Sequence, residues 1–251
     1  MNNDFKYLPN IYTGSLNPSA VLKAMQHARD EYPCEACGAI VDDHYIPFWN
    51  QSVDSSSCFV IDDPEYFKLY TDGQIQALHH SHNDWPRATK IDQAQQIETD
   101  IPWLITNLRK GSVVDCILLD PSNPPPLMDR PFFYGIFDCM SLVHDFILQE
   151  RGIDLPAHPH DWEFWINGET VFEDAIDEIK DIFEVVKDNN LKRGDLLLYN
   201  IGGLKSVNHI GVVYEDNNLV LHHFLNRLSG VYPINIERRY LLSDKILRIK
   251  Q

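Results

Sequence analysis

Residues 120–131 read DPSNPPPLMDRP, and this stretch decides how the chain is divided. Proline lacks an N–H and fixes φ, so five prolines in twelve residues favour extended, solvated backbone over packed helix or sheet. The stretch lies near the middle of a 251-residue chain, a length that accommodates two ordinary domains. We therefore expect one domain over residues 1–118, a proline-rich linker over 119–130 and a second domain over 131–251.

Upstream of the linker, Asn17–Tyr32 reads as a helix. Asn17 can cap it, Pro18 fits its first turn, Val21, Leu22, Met25 and Ala28 share a face, and Pro33 stops it. Cys37–Val41 (CGAIV) has the pattern of a buried strand, with Tyr45–Trp49 as its hairpin partner and Cys58–Asp62 as another strand. A short helix is expected over Pro64–Tyr70, a strand over Ile75–His80 leading into a polar loop (His82–Thr89), and a helix over Ile91–Asp100. Strands near Trp103–Asn107 and Val113–Leu119 complete this half.

Downstream, Cys139–Gln149 is a strong helix pattern with Met140, Val143, Phe146 and Ile147 on one face. An acidic helix near Val171–Val186 precedes strands at Asp195–Tyr199, His209–Tyr214 and Leu219–His223, with a last pair near Val231–Ile236 and Tyr240–Ile249. Both halves mix helices with antiparallel-looking strands, so the expected fold class is α+β in two domains.

The net charge of -16 is spread, with -9 on residues 1–120 (8 basic, 17 acidic) and -7 on the rest. A field of that sign opposes nucleic acid and anionic lipid, and no apolar run reaches the roughly 20 residues of a membrane helix. Five cysteines (34, 37, 58, 116 and 139) without paired spacing argue against a disulfide framework and for synthesis in a reducing cytoplasm. The opening MNNDFKYLPN has neither the basic nor the apolar region of a signal peptide.

Two constellations carry chemistry. In the first, His80 and His82 are two apart on a strand and project to one face, so both imidazoles can reach one metal ion. Asp92 can add an oxygen ligand, leaving an open position for water, and Glu35 at the end of the first helix can take a proton from it. Spacing alone equally suits a pair of surface histidines. PCEACG (Pro33–Gly38), then HSH, then T-x-x-D (Thr89–Asp92) resembles the JAMM (Mov34/MPN) metallopeptidase pattern over residues 1–118. The resemblance implies a Zn2+ site with His80, His82 and Asp92 as ligands, Glu35 as general base, and the Thr89 hydroxyl helping to polarise the scissile carbonyl. Asn83 stands where that family has proline, and the gap from His82 to Thr89 is one residue shorter than the common pattern. Cys34 and Cys37 form a C-x-x-C with no second pair to complete a structural zinc site, so Cys37 is expected to be a core thiol. His79 and His44 have no partner pattern.

In the second constellation, Cys139 stands at the expected N-terminus of a helix, where the dipole favours thiolate. His209 opens one strand, and His222 and His223 lie on the next, so a base and its orienting partner can meet the thiol. The alternative reading of the same residues is a buried free cysteine with strand histidines bonded to backbone. G-x-x-DC-x-x-L (Gly135–Leu142), RGDLLLY (Arg193–Tyr199) and NHIGVVYEDNNLVLHH (Asn208–His223) resemble the NlpC/P60 cysteine peptidases over residues 131–251. The resemblance implies Cys139 as nucleophile, His209 as base and His222 as third member, with His223 replacing it if the hairpin shifts by one. It assigns no tyrosine to the oxyanion region, although Tyr134 is nearby.

The order of the two families, joined at Arg130-Pro131-Phe132, resembles the tail tip assembly proteins of lambda-like phages. That implies other tail tip and tail hub proteins as partners, peptidoglycan as substrate, and a place in the host cytoplasm during assembly and then in the virion tail tip, acting in the host periplasm. The alternative is a structural tail tip component or assembly factor with inactive sites.

Overall fold

The computed structural model describes residues 10–83, 89–120, 122–161, 164, 166–187, 190–202, 206–225, 227–234 and 243–250. The chain divides into two compact units, Met1–Pro124 and Pro125–Gln251, and each has its own six-stranded sheet.

In the first unit the elements run β1 (Asn10–Tyr12), α1 (Pro18–Glu31), β2 (Cys37–Val41), β3 (His44–Phe48), α2 (Pro64–Thr71), β4 (Ala77–Asn83), α3 (Lys90–Thr99), β5 (Trp103–Arg109) and β6 (Ser112–Leu119). The Asn17 side chain accepts from the Ser19 N–H and caps α1. Ala20, Val21, Ala24, Met25 and Ala28 are buried, and the three alanines let the helix lie close to the sheet. Leu22, expected on that face, is exposed. β2 and β3 form the expected hairpin, turned by Asp42 and Asp43 with φ positive at both, as a two-residue turn matched to strand twist requires. A Cβ on Gly38 would overlap the Tyr45 ring and the Ile46 carbonyl, so glycine is what lets that ring cross β2.

The sheet order is β1-β6-β5-β4-β2-β3, and two of its pairs, β4 with β5 and β1 with β6, are parallel. This corrects the antiparallel expectation. A parallel pair needs a crossover, and α3 supplies it between β4 and β5. That connection brings the start of α3 back to the end of β4. Most of the polar loop expected at 82–89 lies outside the described residues.

The strand expected at Cys58–Asp62 does not form. The Asn50 side chain takes the place of a strand neighbour, accepting from the Val60 N–H and donating to the Cys58 carbonyl and the Glu35 carbonyl. Cys58 is consequently exposed.

The second unit runs α4 (Cys139–Arg151), α5 (Val171–Glu178), β7 (Phe183–Val186), β8 (Leu196–Tyr199), β9 (His209–Glu215), β10 (Leu219–His222), β11 (Gly230–Pro233) and β12 (Ser243–Ile249). The acidic helix ends at Glu178, and after a turn the last four residues of its expected span form β7. The order is β11-β10-β9-β8-β12-β7, antiparallel throughout. Leu142, Val143, Phe146 and Ile147 bury one face of α4 against β9 and its neighbours. The last two strands, expected as a pair, lie apart: β11 joins β10, and β12 joins β7 and β8; part of each expected span lies outside the described residues.

The second half of the proline-rich stretch is not free linker. Arg130 is fully buried: it pairs with Asp145 at 2.6 Å and donates to the Pro125 and Pro126 carbonyls. Its backbone N–H reaches Ser229 Oγ at 2.9 Å. Arg130→Ala would leave Asp145 and two carbonyls without their donor. It is expected to lower stability in denaturant titration by about 3–5 kcal/mol, as for other broken buried pairs. A loss below about 1 kcal/mol, the range of an exposed pair, would contradict this role.

Candidate active sites

The parallel crossover assembles the first site. β4 carries His80 and His82 to its far end, and α3 begins beside them with Thr89 and Asp92 in a capping box. His80 Nε2 and His82 Nε2 are 3.0 Å apart, and they lie 3.2 and 3.4 Å from the two Asp92 carboxylate oxygens. A four-coordinate ion with bonds of about 2.0–2.1 Å sets neighbouring ligand atoms about 3.3 Å apart, so this donor set fits a metal. It is the one group of three or more potential ligands found among the described residues. Cys34 and Cys37 are no part of it: Cys37 is buried against the Phe48 carbonyl, and Cys34 accepts from Ser55 Oγ.

Packing orients His80. Phe59 stacks on His80 at 4.7 Å and Trp103 meets it edge-on at 5.2 Å, while His80 Nδ1 has no hydrogen-bond partner among the described residues. Ser81, on the opposite face, ties β4 to Ala36 through both backbone and side chain. Cys37 pairs with His80 in that register, and continuing it one step past Ala36 and Ser81 sets Glu35 opposite His82. Burial pushes the Glu35 carboxyl up to about 7; His82 opposes the shift and Asp92 and Asp54 add to it. Burial alone would raise Asp92 too, but its hydrogen bonds to His80 and His82 hold it far below the usual carboxylate range. A cavity of about 210 Å³ opens beside Glu35, walled by Phe48, Trp49 and Asn50.

Thr89 lies against Asp92. Its hydroxyl donates to Asp92 Oδ2 at 2.7 Å and its N–H to the same oxygen at 2.6 Å, so it orients that carboxylate. His79 points to the other face and joins a buried chain, with Tyr45 Oη on Nδ1 and Thr106 Oγ1 on Nε2. His44 is exposed and bonds the Asp42 carbonyl.

In the second unit, α4 presents Cys139 as its first residue, against the start of β9. The β9–β10 hairpin sets His222 beside His209, with Nδ1 of His222 2.9 Å from Nε2 of His209 and the rings stacked. This is possible because residue 211 is glycine, since a Cβ there would overlap the His222 ring. Phe224 stacks on both rings, and Tyr199 lies against both. His223 points away and packs on Phe132, which favours His222 over His223 as the partner of His209. With Nε2 taken by His222, Nδ1 of His209 is the nitrogen left for Cys139, although no hydrogen bond joins the two residues here.

Burial pushes the Cys139 thiol well up, the Asp138 charge adds to it, and the N–H groups of Ile210, Cys139 and Met140 oppose it. Burial also holds His209 well below its ordinary value and His222 at about 3. Burial thus works against charge on both groups, opposing the effect of the helix dipole on the thiol.

Sequence reasoning missed His160, which lies in irregular chain with no spacing signal. Its Nε2 is 3.0 Å from Asp138 Oδ2, and Tyr134 packs on it edge-on. Burial would raise Asp138, but His160 and backbone donors hold it at about 2. Burial would lower His160, but Asp138 outweighs it and the net shift is upward. The R-G-D stretch is structural: Arg193 lies over Tyr214 and pairs with Glu150, and Asp195 takes a bidentate bond from Arg248.

Residues 129–241, which include Cys139, His209 and His222, match the NlpC/P60 family. Tail tip assembly protein K of Escherichia phage N15 is 32% identical over 216 residues, covering 83% of this chain and 86% of that protein. The chain belongs to the tail tip assembly protein K family. Two solution structures are more distantly similar. A Desulfitobacterium hafniense protein is 21% identical with a TM-score of 0.32, over 43% of this chain and 85% of its own. A Salinibacter ruber protein is 17% identical with a TM-score of 0.28, over 47% and 82%. Among the described residues no helix is long and apolar enough to cross a membrane.

The Asp138–His160 pair fixes a pH dependence. A depressed Asp138 stabilises the fold above its ordinary value of 3.8, and this is lost as pH falls through about 2. A raised His160 stabilises below its ordinary value of 6.5, and this is lost as pH rises through its higher folded value. The stability gap between the wild type and His160→Gln, from denaturant titrations across pH, is expected to be widest between these limits and to narrow on both sides. A gap independent of pH would contradict the ion pair.

Proposed function

We propose that the second unit is a thiol peptidase that hydrolyses peptide bonds in the stems of peptidoglycan, during tail assembly or passage of the cell wall. The observation that carries this reading is the stacked His209–His222 pair beside Cys139 at a helix N-terminus, inside the segment that matches the NlpC/P60 family. As Cys139 sulfur attacks the carbonyl carbon, its proton passes to His209, which His222 holds in orientation. The N–H groups around the sulfur favour its developing charge. His209 then gives the proton to the leaving amine as the C–N bond breaks, leaving a thioester on Cys139. Water, losing a proton to His209, cleaves the thioester and the thiol is restored.

The first unit is read as a JAMM-type zinc site of unassigned peptide substrate. His80, His82 and Asp92 would hold the ion, which when bound polarises a carbonyl and lowers the pKa of water. Glu35 is the group that holds and passes on a proton, and its elevated pKa suits exchange near neutrality. Thr89 keeps Asp92 in place. Tail tip and tail hub proteins are the expected partners, given the similarity to an assembly protein of phage N15. That similarity also favours a second reading, an assembly role independent of hydrolysis.

Muropeptide release from purified gram-negative sacculi separates these readings. Cys139→Ala is expected to lose release by about a thousandfold or more, and His82→Ala to retain it. Full release by a folded Cys139→Ala would remove that residue from the chemistry. No release from the wild type would favour the assembly role.

Metal uptake tests the first unit. Chelator-stripped chain titrated with Zn2+ against a chromophoric competitor is expected to bind a single equivalent. Affinity should fall by about tenfold or more in His82→Ala and Asp92→Asn, and stay unchanged in Cys34→Ala. Equal affinity across the set would exclude this ligand group.

A further inference from the structure

His160 is the buried titratable group that the proposed chemistry leaves unused, and its hydrogen bonds fix its protonation. Nδ1 lies 2.6 Å from the His158 carbonyl, which can only accept. Nε2 lies 3.0 Å from Asp138 Oδ2. That carboxylate already takes N–H bonds from Gly135 on Oδ2 and from Met140 and Ser141 on Oδ1. These three N–H donors favour the charged carboxylate and help hold Asp138 down at about 2, so it is ionised and also only accepts. Both ring nitrogens of His160 must then donate, and the ring is an imidazolium.

The position of this cation gives it a consequence. Asp138 immediately precedes Cys139 and caps α4, so its negative charge opposes formation of the thiolate, as the Coulombic contribution to the thiol shows. The N-terminal N–H groups of α4 favour the thiolate. We propose that His160 is a positioning residue of the Cys139 site, an imidazolium that fixes the capping Asp138 carboxylate and cancels its charge so that the helix end acts on the thiol with its positive sign. The proposal rests on Cys139 being the nucleophile of the proposed peptidase.

The groups facing His160 are consistent with a retained charge. Burial opposes the cation; Asp138, the His158 carbonyl and Asp161 favour it, and Tyr134 and Phe164 meet the ring edge-on. His209 and His223 also face Asp138, but burial lowers both, His223 to about 4, so neither matches His160 as its counter-charge.

The test reads the thiol and not hydrolysis. The pH dependence of iodoacetamide alkylation at Cys139, followed by mass spectrometry of its peptide in the full chain, gives the midpoint of thiolate formation. His160→Gln is expected to raise that midpoint by about one pH unit or more, and Asp138→Asn with His160→Gln to bring it back towards the wild type. An unchanged midpoint in folded His160→Gln, or a double variant as high as the single, would overturn the proposal. Nitrogen chemical shifts of the His160 ring in the wild type provide a check that needs no variant. Both nitrogens are expected to be protonated at pH 7, and a neutral ring there would overturn the proposal equally. A shifted midpoint in a chain that releases no muropeptides would leave the role of His160 standing while the peptidase reading failed.

Discussion

The first N–H groups of an α-helix have no partner inside the helix, and whatever satisfies them is fixed in space. In both units a carboxylate does so and at the same time faces histidine. Asp92, three residues into α3, accepts from the Thr89 N–H and hydroxyl while His80 and His82 converge on its oxygens. Asp138, capping α4, accepts from three backbone N–H groups and binds His160 with its remaining capacity. Each carboxylate is therefore immobilised by the helix it starts, and the side chains that meet it inherit that rigidity. Losing either cap would unfasten a helix end and a site together.

Sheet register supplies the other half of each arrangement. In the first unit the pairing of β2 with β4 sets Glu35 against His82, and the parallel crossover returns Asp92 to the end of β4. In the second, the β9–β10 hairpin sets His222 across from Gly211, and the missing Cβ lets the ring reach His209. A one-residue slip in either pairing would turn these side chains to the opposite face. His223 already illustrates that outcome, since it lies one residue further and packs on Phe132 away from the pair.

The two-domain α+β organisation and most elements were legible in the sequence, because caps, prolines and hydrophobic period mark them locally. Asn17 with Pro18 announced α1, and the strands at His209–Tyr214 and Leu219–His223 were expected as neighbours. What failed was context. Cys58–Asp62 has strand composition, but the Asn50 side chain takes up its backbone groups. Arg130 follows a proline run that reads as linker, yet Asp145 buries it. The pairing of β4 with β5 as parallel strands depends on α3 packing across them, which period cannot show. Among the candidate site residues, His80, His82, Asp92, Cys139, His209 and His222 came from motifs that resemble two peptidase families, since spacing alone left other readings open. His160 did not, because its partner is 22 residues away and the chain between is partly irregular. The capping role of Thr89 was open to the same reasoning that found Asn17, through the T-x-x-D spacing.

The central claim is that Cys139 forms the covalent link in peptide hydrolysis. Its most direct test is to incubate the chain with a peptidoglycan stem peptide, quench in acid during turnover, and map covalent adducts by mass spectrometry. The account predicts an acyl fragment on the peptide that contains Cys139, absent after longer incubation once substrate is consumed. An adduct on any other residue during productive turnover would contradict it.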